Sequence, residues 1–157
     1  MIVLAWMHFM RAVVQRVSEA VVEFAAGRAA MGRGLLVYLG VGRDDTPADV
    51  DILVDKVRHL RIFEDEAGKL NLDVAQAGGA VMAISAFTVQ ADARRGRRPS
   101  FELAAAPEEA RKLYESFCAE LAATGLVVER GSFGNHMRVH GVNDGPICVL
   151  LDSRKVF

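Results

Sequence analysis

The chain has 157 residues, 52% hydrophobic and 25% charged, with a formal net charge of −1. That length supports one domain with a full core, and the apolar share excludes a disordered chain. The near-zero charge excludes a global attraction to nucleic acid, so a polyanion must be met by a local patch. The two cysteines, Cys118 and Cys148, lie far apart in the chain. They form neither a disulfide framework nor a zinc site and fit a reducing compartment, the cytoplasm.

The first ten residues, MIVLAWMHFM, are apolar but carry no basic leader region and no cleavage site, and they are too short to span a bilayer. Strand-like alternation starts at Met10-Arg11. We therefore expect residues 1–9 to be an N-terminal extension or a mis-assigned start, and 10–157 to be a single domain. Arg11–Val17 and Ala20–Phe24 read as two strands divided by Ser18-Glu19, with a turn over Ala25–Arg28. Leu35–Val41 is a continuous apolar run, the pattern of a strand covered on both faces. Thr46-Pro47 opens a helix, with Thr46 as N-cap and Val50, Leu53, Val57 and Leu60 as one inner stripe. His59 lies on or beside it as a surface or packing residue.

The acidic stretch Glu64-Asp65-Glu66 lacks the spacing of a calcium loop and reads as a solvated turn. Leu70, Leu72 and Val74 alternate as a short strand, and Ala80–Val89 reads as another buried strand. Four arginines, Arg94, Arg95, Arg97 and Arg98, surround Gly96 in the following loop. Arginine forks match phosphate geometry, yet a merely solvated loop explains them equally well. Pro107–Thr124 is the second helix, with Ala110, Leu113, Phe117 and Leu121 inward, Cys118 as an inert core thiol, and Gly125 as the stop. A strand over Leu126–Glu129 follows.

Phe133, in the loop Gly131–Gly134, is either a stacking aromatic or a core plug. His136 and His140 share a strand face but have no carboxylate or thiolate partner nearby, so no metal is expected. The dense turn chemistry of Asn143-Asp144-Gly145-Pro146 favours a turn joining the last two strands. Its Gly-Pro pair also permits a cis bond whose carbonyls, pointing the same way, would hold an ammonium group.

Taken alone, these features describe a mixed domain with one arginine loop. Together, Arg16-Val17, Arg61-Ile62-Phe63, Lys69–Leu72, Ala77–Gly79, Ser85-Ala86-Phe87-Thr88, Arg98–Phe101 and Asn143–Pro146 resemble, in order, the D-aminoacyl-tRNA deacylases. The resemblance runs from Met10 to Leu151. It implies an α+β domain with mixed or antiparallel sheets layered on two main helices, acting as a homodimer. It implies hydrolysis of the ester joining a D-amino acid, and also glycine, to the 3′ end of tRNA, with no cofactor, no metal and no membrane. In that family a Ser-Gln-Phe-Thr stretch lines the site. Here that is Ser85, Ala86, Phe87 and Thr88, with Phe87 and Thr88 taken as catalytic. Gly145-Pro146 enters the partner's site and rejects L-amino acids by clash with main chain. Phe133 joins Phe87 near the terminal adenosine, and the four arginines contact tRNA phosphate. Thr88 is expected to position water, although a nucleophilic role stays open.

Three positions depart from the family pattern: Ala86 stands for Gln, Cys148 for Thr and Ser132 for Arg. They keep two alternatives in view, a deacylase for another mischarged tRNA and a non-catalytic tRNA-binding homologue.

Overall fold

The computed structural model describes residues 9–157. Except for Phe9, the N-terminal extension expected over 1–9 lies outside the described residues. Strand β1 (Arg11–Phe24) organises the rest. In its first half Ala12, Val14 and Arg16 are buried, while Arg11, Val13 and Gln15 are half-buried. This is the period-2 pattern of a strand with one covered face. Ser18-Glu19 does not split it. The chain continues through a register shift between Val17 and Ala20 as one strand.

One edge of β1 pairs first with β3 (Gly34–Gly40) and then, past the shift, with β2 (Gly27–Met31), both antiparallel. Strand β2 takes up Gly27 and Arg28, which were expected in the turn. Its short, half-exposed Gly-Arg-Ala-Ala-Met run carries little pattern of its own and is held by the pairing. Strand β3 runs parallel to β6 (Ala80–Ser85), which runs parallel to β7 (Val128–Arg130). Gly34 permits the first pairing, because a Cβ there would lie 1.9 Å from the Ala80 carbonyl oxygen. A separate hairpin joins β4 (Phe63–Glu64) to β5 (Leu70–Leu72). Its acidic turn is a hydrogen-bonded cap: the Asp65 carboxylate accepts from the Ala67 and Lys69 N–H groups and from Asn71.

The other edge of β1 pairs along its whole length with β8 (Met137–Asp152), antiparallel. This corrects the expected turn between two final strands. Both halves of β8 run the same way along β1, so no hairpin forms. Instead β1 advances from Gln15 to Val17 while β8 passes from Cys148 back to Asn143, and the residues between loop out of the ladder. Turn residues here make an excursion within one strand. The Gly145-Pro146 bond in it is cis.

Helices α1 (Pro47–His59) and α2 (Pro107–Ala123) cover one sheet face. Val50, Leu53 and Val57 from α1 meet Leu113, Phe117 and Leu121 from α2 over Ala12, Val14, Leu35, Val37 and Leu39. On α1, Asp49 turns back to accept from the Thr46 N–H at 2.9 Å, closing the helix start. The opposite face is covered by the sheet curling on itself, with Val17, Ala20, Val22, Leu36, Met82 and Ile84 inside. Among the described residues no helix is long and apolar enough to cross a membrane.

Candidate active site

Strand β6 stops at Ser85, short of the expected Val89, and the chain bends into a 3-10 turn over Phe87–Gln90. Two contacts impose the bend. The Gln90 amide is fully buried and donates to the carbonyls of Phe9 and Gly40, each at 2.8 Å. Val89 packs on Gly40, where any Cβ would come within 2.8 Å of its own. An apolar run therefore continues as a turn because tertiary contacts replace the ladder.

The Phe87 and Thr88 N–H groups open this turn, so they have no partner within it. Both residues line a cavity of about 930 Å³. Ser85, Ala86, Phe87 and Thr88 line one side, Phe101, Ala104 and Ala105 a second, and Phe133 to Met137 a third. Tyr38 and His136 are its only titratable lining residues, and it holds no carboxylate among the described residues. Burial pushes the Tyr38 phenol up, so it is neutral at physiological pH.

Five of the residues singled out in the sequence thus surround one cavity: Ser85, Ala86, Phe87, Thr88 and Phe133. Phe133 both packs and lines. Its ring lies 5.9 Å from Tyr114, and the Arg111 guanidinium sits 4.9 Å above it. Tyr114 anchors that stack by donating to the Ala83 carbonyl at 2.7 Å. Phe101 was not singled out. It meets the half-exposed Phe87 edge to face, at 5.1 Å between ring centres. The only available signal was its place after the arginine loop, in Arg98-Pro99-Ser100-Phe101.

That loop is closed by paired backbone bonds between Asp92 and Ser100, each 2.8 Å. Arg94 forks onto the Asp92 carboxylate and holds it well below the usual carboxylate range. Arg95, Arg97 and Arg98 are exposed. The loop leaves the 3-10 turn and returns at Phe101, so its base lies at the cavity rim.

Gly145 and Pro146 are exposed and do not line the cavity of their own chain. Their excursion is held firmly nonetheless. Asn143 Nδ2 donates to the Arg16 carbonyl at 3.0 Å and to the Ile147 carbonyl at 2.9 Å. Arg16, 7% exposed, donates through Nε to the Asp144 carbonyl at 3.1 Å and through Nη1 to the Ile62 carbonyl at 3.0 Å. An arginine at the inward phase of β1, after Ala12 and Val14, was the legible sign of such a clamp.

A family model described as D-Tyr-tRNA(Tyr) deacylase matches residues 13–152. The chain belongs to that family. Two relatives, both named D-aminoacyl-tRNA deacylase, are matched over their full length by 94% of this chain. That of Anaeromyxobacter dehalogenans (strain 2CP-C) is 57% identical over 149 residues, and that of Thermotoga petrophila is 56% identical over 151. A solved structure titled c-Myc DNA Unwinding Element Binding Protein is 38% identical, with a TM-score of 0.84 over 90% of this chain and 97% of that one. Another, titled as a probable eukaryotic D-amino acid tRNA deacylase, is 17% identical at a TM-score of 0.80 and bears on the fold alone.

Within this deacylase, the three departures occupy different surroundings. Ala86 lines the cavity and spends its N–H on the Leu39 carbonyl at 2.9 Å. Ser132 accepts from Asn135 Nδ2 at 2.7 Å and so shapes the loop that carries Phe133. Cys148 is exposed where β8 rejoins the ladder, with Gln15 Nε2 at 3.9 Å from its sulfur.

Proposed function

We propose that this chain hydrolyses the ester linking a D-amino acid to the 3′ end of tRNA, with glycyl-tRNA as a second substrate. The observation that carries the reading is that Phe87 and Thr88, whose N–H groups have no partner within the 3-10 turn, both line the cavity. Donors so fixed would stabilise the oxyanion as water adds to the ester carbonyl. Among the described residues the cavity has no carboxylate to orient a base, so Thr88 positions water in this scheme and the terminal ribose 2′-hydroxyl assists. An aminoacyl ester is already activated and needs little more. Phe87 and Phe101, with Phe133 opposite, hold the terminal adenosine. Arg94, Arg95, Arg97 and Arg98 meet backbone phosphate, positioning the tRNA without reading sequence.

Chiral selection belongs to a homodimer in this reading. Gly145-Pro146 of one copy enters the cavity of the other, its carbonyls take the α-ammonium group, and an L side chain meets main chain. Two observations support it. The excursion is clamped by Arg16 and Asn143 yet contributes nothing to the lining of its own cavity. Beside it, Val13, Tyr38 and Leu150 stand in register on one sheet face, and Leu150 and Val142 are each 50% exposed. A substrate made by aminoacylation places the protein in the cytoplasm.

Parallel assays of D-tyrosyl-, L-tyrosyl- and glycyl-tRNA, with an enzyme-free control, test this reading. Loss of the D and glycyl esters with the L ester spared is expected. Loss of all three would mean that Ala86 or Cys148 has altered the gate. Binding of tRNA without accelerated loss of any ester would leave the non-catalytic homologue.

A further inference from the structure

Helix α2 joins the cavity wall through its first turn. Pro107 and Ala110 line the cavity, and Arg111, the next residue along the helix, is exposed. Its guanidinium lies 4.9 Å from the centre of the Phe133 ring, itself a lining residue. The two carboxylates of that first turn, Glu108 and Glu109, are both engaged by Lys112, at 3.8 and 3.1 Å. Among the described residues no carboxylate pairs with Arg111, and none lines the cavity. Arg111 therefore brings an uncancelled positive charge to the Phe133 wall, held in place by attraction to the ring.

We propose that Arg111 binds the phosphodiester that links the terminal adenosine of tRNA to the nucleotide before it. The inference rests on the deacylase reading and adds to it a cation on the wall away from the arginine loop. With the aminoacyl group and adenosine inside the cavity, the strand must leave over the rim, and the first group it presents there is that phosphodiester. An aromatic wall with an arginine beside it is the pairing that holds single-stranded nucleic acid, the ring taking a base and the guanidinium the backbone. A guanidinium that sits over a ring still has its N–H donors for a phosphate, whose geometry they match.

The loop arginines are placed for other phosphates. Arg94 is committed to the Asp92 carboxylate. Arg95, Arg97 and Arg98 lie beyond the paired bonds between Asp92 and Ser100 that close the loop, and only its base is at the cavity rim. They meet the backbone farther along the acceptor strand, whereas Arg111 stands beside a residue of the cavity itself. A role confined to packing on Phe133 would make Arg111 matter equally for every substrate that fills the cavity. A phosphate contact makes it matter only when the substrate carries that phosphate.

The experiment compares the full chain with Arg111→Met, which keeps a stem over Phe133 without the charge, and Arg111→Lys, which keeps the charge. The substrates are the D-tyrosyl esters of adenosine, which has no phosphate, and of the cytidine–adenosine dinucleotide, which has this one alone. Arg111→Met should raise KM for the dinucleotide ester about tenfold more than for the adenosine ester, with little change in kcat, and Arg111→Lys should recover most of the difference. The slope of log KM against log salt for the dinucleotide ester should fall by about 0.7 in Arg111→Met. An equal rise in KM for the two esters would overturn the proposal and leave Arg111 as a prop for Phe133. An unchanged salt slope would also overturn it. A wild-type chain that turns over neither ester fails the deacylase reading, and equilibrium binding of the unacylated dinucleotide then decides for Arg111. Weaker binding by Arg111→Met upholds its phosphate contact, and equal binding overturns it.

Discussion

Arg16 and Asn143 hold an exposed stretch of main chain by its carbonyls, and neither side chain touches the cavity. Removing Asn143 leaves the Arg16 and Ile147 carbonyls short of a donor, at a cost of about 1–3 kcal/mol. Asn143→Ala is expected to loosen the excursion and raise hydrolysis of L-tyrosyl-tRNA relative to D-tyrosyl-tRNA, read as a ratio of kcat/KM values. Thr88 stands differently, among the residues that line the cavity. Thr88→Ala should lower kcat on D-tyrosyl-tRNA by about 10²-fold with tRNA binding unchanged, and Thr88→Ser should restore most of it. An unaltered kcat in Thr88→Ala would leave the main-chain donors as the sole catalytic groups. These roles were unevenly legible. The Ser85–Thr88 run was visible through its likeness to a family, whereas the clamp depends on which carbonyls the excursion brings to Arg16, and that is a tertiary fact.

At the scale of elements, helix α2 ties the site to the core. Phe117 is fully buried between α1 and the sheet, and Tyr114, one turn away, carries the stack that positions Phe133. Phe117→Ala should cost about 3–5 kcal/mol, seen as a large fall in denaturation midpoint, while turnover well below the midpoint is retained. Both helices were legible to within a residue at each end, because Thr46-Pro47, Pro107 and Gly125 mark their limits and the apolar stripes recur at 3.6 residues. The strands were less so. The β6 run was overextended because Phe87, Thr88 and Val89 suit a strand as well as a turn, and the choice is made by Gly40 and Gln90. The two halves of β8 were correct as strands and wrong as a hairpin, since local turn chemistry is the same whether the chain reverses or only loops out.

For the whole molecule the question is assembly. One face of the sheet lies under the helices, and the other curls closed around β2 and the far half of β1, leaving Val13, Tyr38 and Leu150 in a row. A charge in that row should prevent a second copy from docking. Leu150→Glu is expected to give a folded monomer by light scattering that has lost turnover, because each cavity then lacks its partner's Gly145-Pro146. A Leu150→Glu protein that is monomeric and fully active would remove the cross-subunit gate.

The sequence by itself determined the helices, the strand-forming runs and the likeness of Ser85–Thr88 and Asn143–Pro146 to the motifs of one family. Each of these is written in local periodicity or in a contiguous motif. Only the tertiary structure decided that β1 and β8 are single strands, and that Phe101 and Phe133 face one cavity with the 3-10 turn. It also left Gly145-Pro146 exposed and outside that cavity's lining. Such relations join residues as distant as Arg16 and Asp144, and no local preference reports which distant carbonyl a buried side chain will find.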